Sequence, residues 1–262
     1  MHLRVLMALC LCFGLYSTSF AAPTIAVYAS PNPPFNLREK GLVQGLAFDL
    51  LEASLATIRP RFSQEEIHLA PWKEVYDEAL KHPTSFLISA SRLKERESFF
   101  QWVGPIATVR LGVITKRGME IPKGKNSLEI LQNLKIATIK ETSAEKVLFK
   151  EIGENNSLNI TRVSTPLQGY KMLEYGRVDA LVYTDLPFVY HLVNENQDVT
   201  QYKMAHVLLN TDYYIAAGKE IPKEQITIMQ SQLNRLKEPD AQGSSMYERI
   251  MARYFKGAVL NP

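Results

Sequence analysis

Short β-branched apolar segments alternate with amphipathic helical segments along most of the chain, and this alternation limits the possible folds more than any other feature. It occurs in two successive runs, separated by a stretch at 118–126 that contains Pro, Gly and Lys and predicts a surface loop. Alternation of this kind predicts α/β units. One strand and two helices remain after the second run and are too few to fold alone. We therefore expect them to return to the first unit and complete a discontinuous domain.

The predicted elements follow from the apolar period of each segment. The predicted strands are 24–29, 85–89, 111–115, 135–139, 160–163, 180–183 and 213–217. The predicted helices are 46–58, 71–80, 144–152, 166–175, 186–194, 223–236 and 246–255.

Residues 1–22 have the pattern of a secretory signal peptide: Arg4, then an apolar run at 5–15, then small residues before Pro23. Eleven apolar residues form a helix of about 16 Å, too short for a hydrocarbon core of ~30 Å. We expect cleavage after Ala21 or Ala22; a buried N-terminal helix is the alternative. Cleavage would remove Cys10 and Cys12, so the mature chain would have no disulfide and no thiol nucleophile.

Charge and motif content argue against several classes of function. Thirty Lys and Arg face 27 Asp and Glu, a formal net charge of +3 that is too balanced to indicate a nucleic-acid partner. The histidines after residue 22 have no Cys or His at ligand spacing, so we expect no metal and no other cofactor. They are His68, His82, His191 and His206. Without a nucleophile elbow or a Gly-rich phosphate loop, we assign no catalytic residue.

The segment 89–105 holds the residues that most suggest a binding site. Ser89 ends a predicted strand, and Ser91 and Arg96 follow it. Hydroxyls and an arginine beyond the carboxyl end of a strand lie where open α/β sheets bind ligands. The planar arginine fork can hold a carboxylate through two hydrogen bonds. The alternative is a surface arginine paired with Glu95 or Glu97.

This segment resembles a motif of the periplasmic solute-binding proteins of ABC importers, family 3, the amino-acid-binding type. The matching residues are Ser91, Glu95, Arg96, Trp102 and Pro105. Two further motifs of that family occur in the same order, so the resemblance covers residues 23–262. They are Pro33-Pro34-Phe35 followed by Gly45-x-x-Phe48-Asp49-Leu50, and Gly176-x-x-Asp179-Ala180.

The resemblance implies an α/β, two-lobed periplasmic-binding-protein fold of type II. Each lobe would be a mixed sheet flanked by helices, and two hinge strands would join the lobes. After the signal peptide at 1–22, lobe 1 would comprise 23–109 plus 210–262, and lobe 2 would comprise 110–209. The expected location is the periplasm.

The resemblance also assigns roles to residues of the first lobe. Arg96 would grip a ligand carboxylate and Ser91 would offer a neighbouring hydroxyl. Ser89 would direct its backbone carbonyl toward an ammonium group, and Trp72 would stack on the ligand. Asn32 stands where the family has an aromatic platform.

Four more residues complete the site that the resemblance implies. Phe35, in the same loop as Asn32, is a further candidate for the ligand pocket. Thr142 would supply a hydroxyl at a helix N-terminus, where free N–H groups favour an anion; Glu141 precedes it where the family has Gly. The ammonium-binding aspartate of the family maps by count to Thr184, but a slip of one residue would make it Asp185.

The resemblance therefore implies a secreted, monomeric receptor rather than an enzyme. It would bind a small carboxylate-bearing, amino-acid-like ligand by hinge closure and deliver it to the permease of a membrane transporter. One alternative is an enzyme on the same fold that resembles cyclohexadienyl dehydratases, with Glu141 as its candidate acid. The other is a receptor that reports the ligand to a signalling partner.

Overall fold

The computed structural model describes residues 25–153 and 157–261. The predicted signal peptide at 1–22 lies outside these residues. The strands are β1 Val27–Ala29, β2 Leu37–Glu39, β3 Leu42–Gln44, β4 Ile67–Leu69, β5 Phe86–Ser91, β6 Gln101–Lys116, β7 Lys135–Ile139, β8 Asn159–Val163, β9 Ala180–Thr184 and β10 Tyr202–Ala217. The helices are α1 Leu46–Leu55, α2 Trp72–Lys81, α3 Ser127–Leu131, α4 Ser143–Ile152, α5 Pro166–Glu174, α6 Asp185–Asn194, α7 Lys223–Leu236 and α8 Met246–Phe255.

Two long antiparallel strands connect the two halves of the structure. The sheet order is β4-β1-β5-β10-β6-β9-β7-β8, and β6 and β10 at its centre have 16 residues each. The first lobe contains β4, β1 and β5, which are parallel to one another, and the second contains β9, β7 and β8. The predicted fold class, a two-lobed α/β protein with two hinge strands, is confirmed.

The C-terminal helices pack on the first lobe. Both α7 and α8 contact α1, and the C-terminal part of β10 pairs with β5. Helix α1 buries Leu46, Leu50 and Leu51 along one face, and α7 buries Met229 and Leu233. The return of the last strand and helices to the first α/β unit therefore has a packing basis, because each helix needs an apolar partner for its buried face.

The hinge strands differ most from the sequence prediction. Their apolar segments at 111–115 and 213–217 mark only one end of each strand. Polar residues such as Arg110, Asn210 and Asp212 interrupt the apolar pattern, but the backbone ladder between β6 and β10 continues through them. Backbone pairing, rather than burial, therefore extends these strands.

Several short elements carry no strong period and were not predicted: the β2–β3 hairpin, strand β4 and helix α3. The predicted loop at 118–126 contains no helix or strand. Within the part of the chain that the structure describes, no helix is both long enough and apolar enough to cross a membrane.

Candidate functional site

Strand β5 carries a bulge at its carboxyl end. Leu87 pairs with Ala216 and Ala90 pairs with Tyr214, so three steps along β5 match two along β10. Ser89 lies inside this irregularity with φ +57°, in the left-handed region that non-glycine residues rarely adopt. A bulge leaves its extra residue unpaired in the ladder, and bulges commonly lie next to binding sites.

A buried amide holds the bulge in place. The Ser89 hydroxyl donates to Asn36 Oδ1 at 3.1 Å, and Asn36 Nδ2 donates to the Ser30 carbonyl at 3.1 Å. Asn36 is 1% exposed. Asn36 was not predicted as a site residue from the sequence, although it directly follows Phe35 of the Pro-Pro-Phe motif.

Arg96 lies on aromatic rings beside the end of β5. Its Nη1 donates to the Ser91 carbonyl at 3.1 Å, and its guanidinium carbon lies 4.8 Å from the centre of the Trp72 ring and 5.3 Å from that of Tyr76. Trp72 is the first residue of α2 and stacks on Tyr76 at 5.7 Å. The structure therefore brings together three predicted site residues: Trp72, Ser91 and Arg96.

Arg96 has no acidic partner among the described residues. The eleven ion pairs found there do not include it. The alternative pairing with Glu95 or Glu97 is therefore not observed. Glu97 instead accepts from Arg92, with Arg92 Nε 2.9 Å from Glu97 Oε2. The positive charge of Arg96 remains available for an external anion.

Tyr213, which the sequence analysis missed, lies next to this cluster. It pairs with Ser91 across the β5–β10 ladder, and its hydroxyl is hydrogen-bonded to the Asn32 side chain. Burial raises the pKa of Tyr213, the hydrogen bond from Asn32 opposes this rise, and the charge of Asp185 adds to it. Tyr213 and Tyr214 are adjacent in a predicted strand, and this pair was a signal that the sequence offered. No local pattern links the pair to Ser91.

Phe35 lies in the core rather than on the surface of a pocket. Its side chain is 0% exposed and packs edge-to-face against the Tyr213 ring, with 5.0 Å between ring centres. The predicted contact between Phe35 and a ligand therefore does not fit this structure, in which the Phe35 ring packs against the Tyr213 ring.

Asp185 forms a buried ion pair that the sequence analysis did not predict. Its Oδ2 accepts from Arg110 Nε at 2.8 Å, and its Oδ1 accepts from the backbone N–H groups of Arg110 at 3.0 Å and Leu186 at 2.7 Å. Arg110 also donates through Nη2 to the Leu260 carbonyl. Thr184, just before Asp185, is 8% exposed and makes no side-chain cap. Both oxygens of Asp185 are therefore engaged, and the ammonium role expected for it does not fit this arrangement.

Thr142 is the N-cap of α4, at the helix start that the sequence predicted. Its hydroxyl donates to the Ile139 carbonyl at 2.9 Å and accepts from the Glu145 N–H at 3.3 Å. The buried Glu145 carboxylate folds back to accept the Glu141 N–H at 2.7 Å. Glu141 has φ +64°, in the left-handed region that glycine adopts most readily.

An ion pair completes this helix start. Arg162 donates to both oxygens of Glu145, at 2.7 and 2.9 Å, and these bonds hold the pKa of Glu145 below its usual value. An internal carboxylate therefore already accepts the N–H group that precedes the N-cap of α4. Thr142 makes none of the contacts that connect the site residues of the first lobe.

One serine lies between a histidine and a carboxylate, and its geometry bears on the enzyme alternative. Ser127 Oγ donates to Glu151 and lies 3.2 Å from His206 Nε2. In a catalytic triad the histidine lies between the nucleophile and the carboxylate, whereas here the serine does. Among the described residues, no three His, Cys, Asp or Glu side chains are grouped to hold a metal ion.

Comparison with known proteins identifies the fold. No protein-family model and no curated protein sequence matches the chain. The second substrate-binding domain of Lactococcus lactis GlnP, in an open conformation, aligns with a TM-score of 0.64 and 17% identity over 90% of this chain and 97% of that chain. The substrate-binding protein AbpA from Streptococcus pneumoniae, bound to L-arginine, aligns with a TM-score of 0.60 and 19% identity over 89% and 95%.

A third similar structure comes from a different functional class. It is a histidine kinase sensor domain with similarity to periplasmic binding proteins, with a TM-score of 0.62 and 18% identity over 91% of this chain and 98% of that chain. At these identities the likeness concerns the fold. The chain therefore has the periplasmic-binding-protein fold that substrate-binding proteins of amino-acid ABC transporters share.

Proposed function

We propose that this protein is a solute receptor that binds a small carboxylate-bearing solute, of about the size of an amino acid, between its two lobes. The observation that carries the proposal is the state of Arg96. Its guanidinium is fixed by the Ser91 carbonyl and two aromatic rings, but no carboxylate of the described residues neutralises it. A fixed and unpaired arginine is suited to a planar anion, because its fork is already oriented.

The expected affinity follows from the contacts that Arg96 can make. Each charge-assisted hydrogen bond contributes about 1.5–3 kcal/mol. A micromolar dissociation constant needs about −8 kcal/mol. Two such bonds from Arg96, contact with the Trp72 ring, and polar contacts from Ser89 and Ser91 are together enough for micromolar binding.

Closure of the two lobes would complete the site. The proposed lobes are 23–109 plus 210–262 and 110–209, and β6 and β10 run from one to the other. Solute contacts from both lobes would stabilise the closed form relative to the open one. In this proposal the chain is exported after loss of 1–22, acts as a monomer in the periplasm, and delivers the solute to the permease of an ABC transporter. The similar structure AbpA supports delivery, because it is named as the substrate-binding protein of an amino acid ABC transporter.

The second candidate is a receptor that reports the solute to a signalling partner. The similar histidine kinase sensor domain favours it, because that domain aligns over as much of the chain as the transport proteins do. Both candidate functions use the same solute site and differ in the partner protein that recognises the closed form.

Calorimetric titration of ligand-stripped protein tests the proposal. The titrants are small carboxylates, including amino acids and hydroxy acids, and the variants are Arg96→Ala and Arg96→Lys. We expect Arg96→Ala to weaken binding by about 150-fold or more, the equivalent of two lost charge-assisted hydrogen bonds. Arg96→Lys keeps the charge but loses the fork, so it should recover only part of the affinity.

Arg92→Ala is the matched control. It removes the same charge from the same segment, but Arg92 is already paired with Glu97. Its affinity should stay within about threefold of the wild type, since exposed ion pairs contribute little. Equal affinities for wild type and Arg96→Ala would refute the role of Arg96, and the absence of binding by any carboxylate would refute the proposed function.

A further inference from the structure

The ion pair between Asp185 and Arg110 lies beside the proposed solute site. Arg96 is held by the Ser91 carbonyl, and Ser91 pairs with Tyr213 across the ladder. Three residues from Tyr213 along β10, Asn210 pairs with Arg110, which donates to Asp185 at 2.8 Å. The residues Arg96, Ser91, Tyr213 and Asp185 thus follow one another from the first lobe to the start of α6. We call this series the polar line.

The negative charge at the far end of the polar line is already balanced. Asp185 is 5% exposed and accepts three hydrogen bonds, two of them from Arg110. Arg110 is fixed in turn by its bond to the Leu260 carbonyl. Removing Arg110 from Asp185 would leave a buried charge without a partner, which proteins tolerate poorly.

Other carboxylates near the polar line do not supply a free buried charge. Asp212, next to Tyr213 in sequence, accepts the Thr108 hydroxyl at 2.6 Å, and its charge acts on Lys237. Glu145, beside Thr142 in the second lobe, is paired with Arg162. Glu141 is exposed to solvent, where water and salt screen its charge.

The charges of the polar line then determine which solutes it can take. Arg96 and Arg110 carry two positive charges and Asp185 carries one negative charge. A bound monocarboxylate brings the sum to zero. A bound amino acid adds an ammonium group, and the enclosed site would then hold one uncompensated positive charge, which is unfavourable in a site that closes around its ligand.

The neutral groups of the same region suit a hydroxyl. Ser89, in its bulge, has a backbone carbonyl that can accept a hydrogen bond, and the side chains of Ser91, Asn32 and Tyr213 are uncharged donors and acceptors. A hydroxyl on the carbon next to the carboxylate can use these groups without adding charge.

We infer that the site selects carboxylates without an ammonium group, 2-hydroxy acids in particular, over the matching α-amino acids. This inference rests on the proposed function and narrows its class of solute. It separates this chain from AbpA, whose structure contains L-arginine.

Calorimetry with matched pairs tests the inference on the wild-type protein. The probes are two monocarboxylate pairs: L-phenylalanine with L-phenyllactate, and L-leucine with (S)-2-hydroxy-4-methylpentanoate. We expect the hydroxy acid of at least one pair to bind, and to bind at least tenfold more tightly than its amino acid. Equal or tighter binding of the amino acid in a pair that binds would overturn this inference and leave the proposed function standing. If no member of any pair binds, this inference fails, and the titration with the wider set of carboxylates decides the proposed function.

Two variants locate the cause of the selectivity. Arg110→Met keeps most of the side-chain volume but frees the charge of Asp185, so the preference for the hydroxy acid should fall at least tenfold. Arg110→Met combined with Asp185→Asn removes both charges, so it should restore a preference for the hydroxy acid and avoid a lone buried charge. An unchanged preference in Arg110→Met, with circular dichroism showing a folded protein, would contradict the assigned cause. Tight binding of an amino acid that Glu141→Gln abolishes would overturn the inference in favour of Glu141 as the ammonium partner.

Discussion

Replacing Ser89 by Gly and by Ala separates the backbone strain of the β5 bulge from its hydrogen bond. Both variants lose the bond from Ser89 Oγ to Asn36 Oδ1, and with it the partner of a buried acceptor. That loss costs about 1–3 kcal/mol in each variant. The two variants differ in the β-carbon, which the left-handed conformation at φ +57° disfavours.

The difference in the free energy of unfolding between Ser89→Gly and Ser89→Ala should have the opposite sign from the glycine–alanine difference in an ordinary strand. A β-carbon in the left-handed region costs about 1–2 kcal/mol. Glycine loses about 0.4–1 kcal/mol of this advantage, because its unfolded chain has greater conformational freedom. Ser89→Gly should therefore be roughly 1 kcal/mol more stable than Ser89→Ala. In an ordinary strand, glycine is less stable than alanine by roughly 0.5–1 kcal/mol.

Urea denaturation, followed by the fluorescence of Trp72 and Trp102, measures the free energy of unfolding of each variant. Ala90→Gly is the control, because Ala90 is the next residue of β5 and is not among the residues with positive φ. That variant should be less stable than the wild type. If Ser89→Gly is no more stable than Ser89→Ala, Ser89 is not held in the left-handed region and our account of the bulge is wrong.

Two further predictions concern other positions where the structure determines how a substitution changes the free energy of unfolding. Gly45→Ala should lower the free energy of unfolding by about 3 kcal/mol or more, because the added carbon would lie 2.2 Å from the Phe35 carbonyl oxygen at φ +142°. Gly41→Ala, at φ +85° with open space around it, should cost only about 1 kcal/mol in the same urea titration. Glu145→Gln should destabilise the protein by about 1.5–3 kcal/mol at pH 7, since Arg162 loses a charged partner. The lowered pKa of Glu145 means that this stabilisation is present above the unfolded-state pKa of about 4.3 and disappears as the pH falls through the folded-state value. The wild type and Glu145→Gln should therefore converge as the pH falls below the unfolded-state value and through the lowered folded-state pKa of Glu145, and a constant gap would contradict the assigned ion pair.

Elements with a strong period and clear end signals were predicted closely. The predicted bounds of α7 and α8 coincide with the observed helices Lys223–Leu236 and Met246–Phe255. A proline precedes α7, and Ser245 forms a capping box with Glu248 before α8. Local chemistry therefore decides where such helices begin.

The hinge strands could not be predicted in full because their pairing is non-local. Residues 101–110 alternate poorly, but they pair with 210–217, more than 90 residues later. A ladder of this kind depends on backbone groups, which carry no residue-specific signal. For the same reason the residue bounds of the two lobes remain a prediction.

The candidate site shows the same division between local and distant information. Trp72, Ser91 and Arg96 could be proposed because each stands at the end of a predicted element, where α/β folds bind ligands. Asn36, Arg110 and Tyr213 act through partners far along the chain, and no spacing in the sequence links them to those partners.

The two lobes offer different chemistry to a solute. In the second lobe Thr142 caps α4 and Asp185 is paired with Arg110, so each candidate group already has an internal partner. In the first lobe Arg96 is oriented but unpaired among the described residues. In the proposed mechanism, therefore, the carboxylate binds to the first lobe before closure, where the fixed guanidinium needs no rearrangement. Closure then depends on neutral contacts and exclusion of water rather than on a second ion pair, so the charge that the solute brings to the polar line decides which solutes the closed form retains.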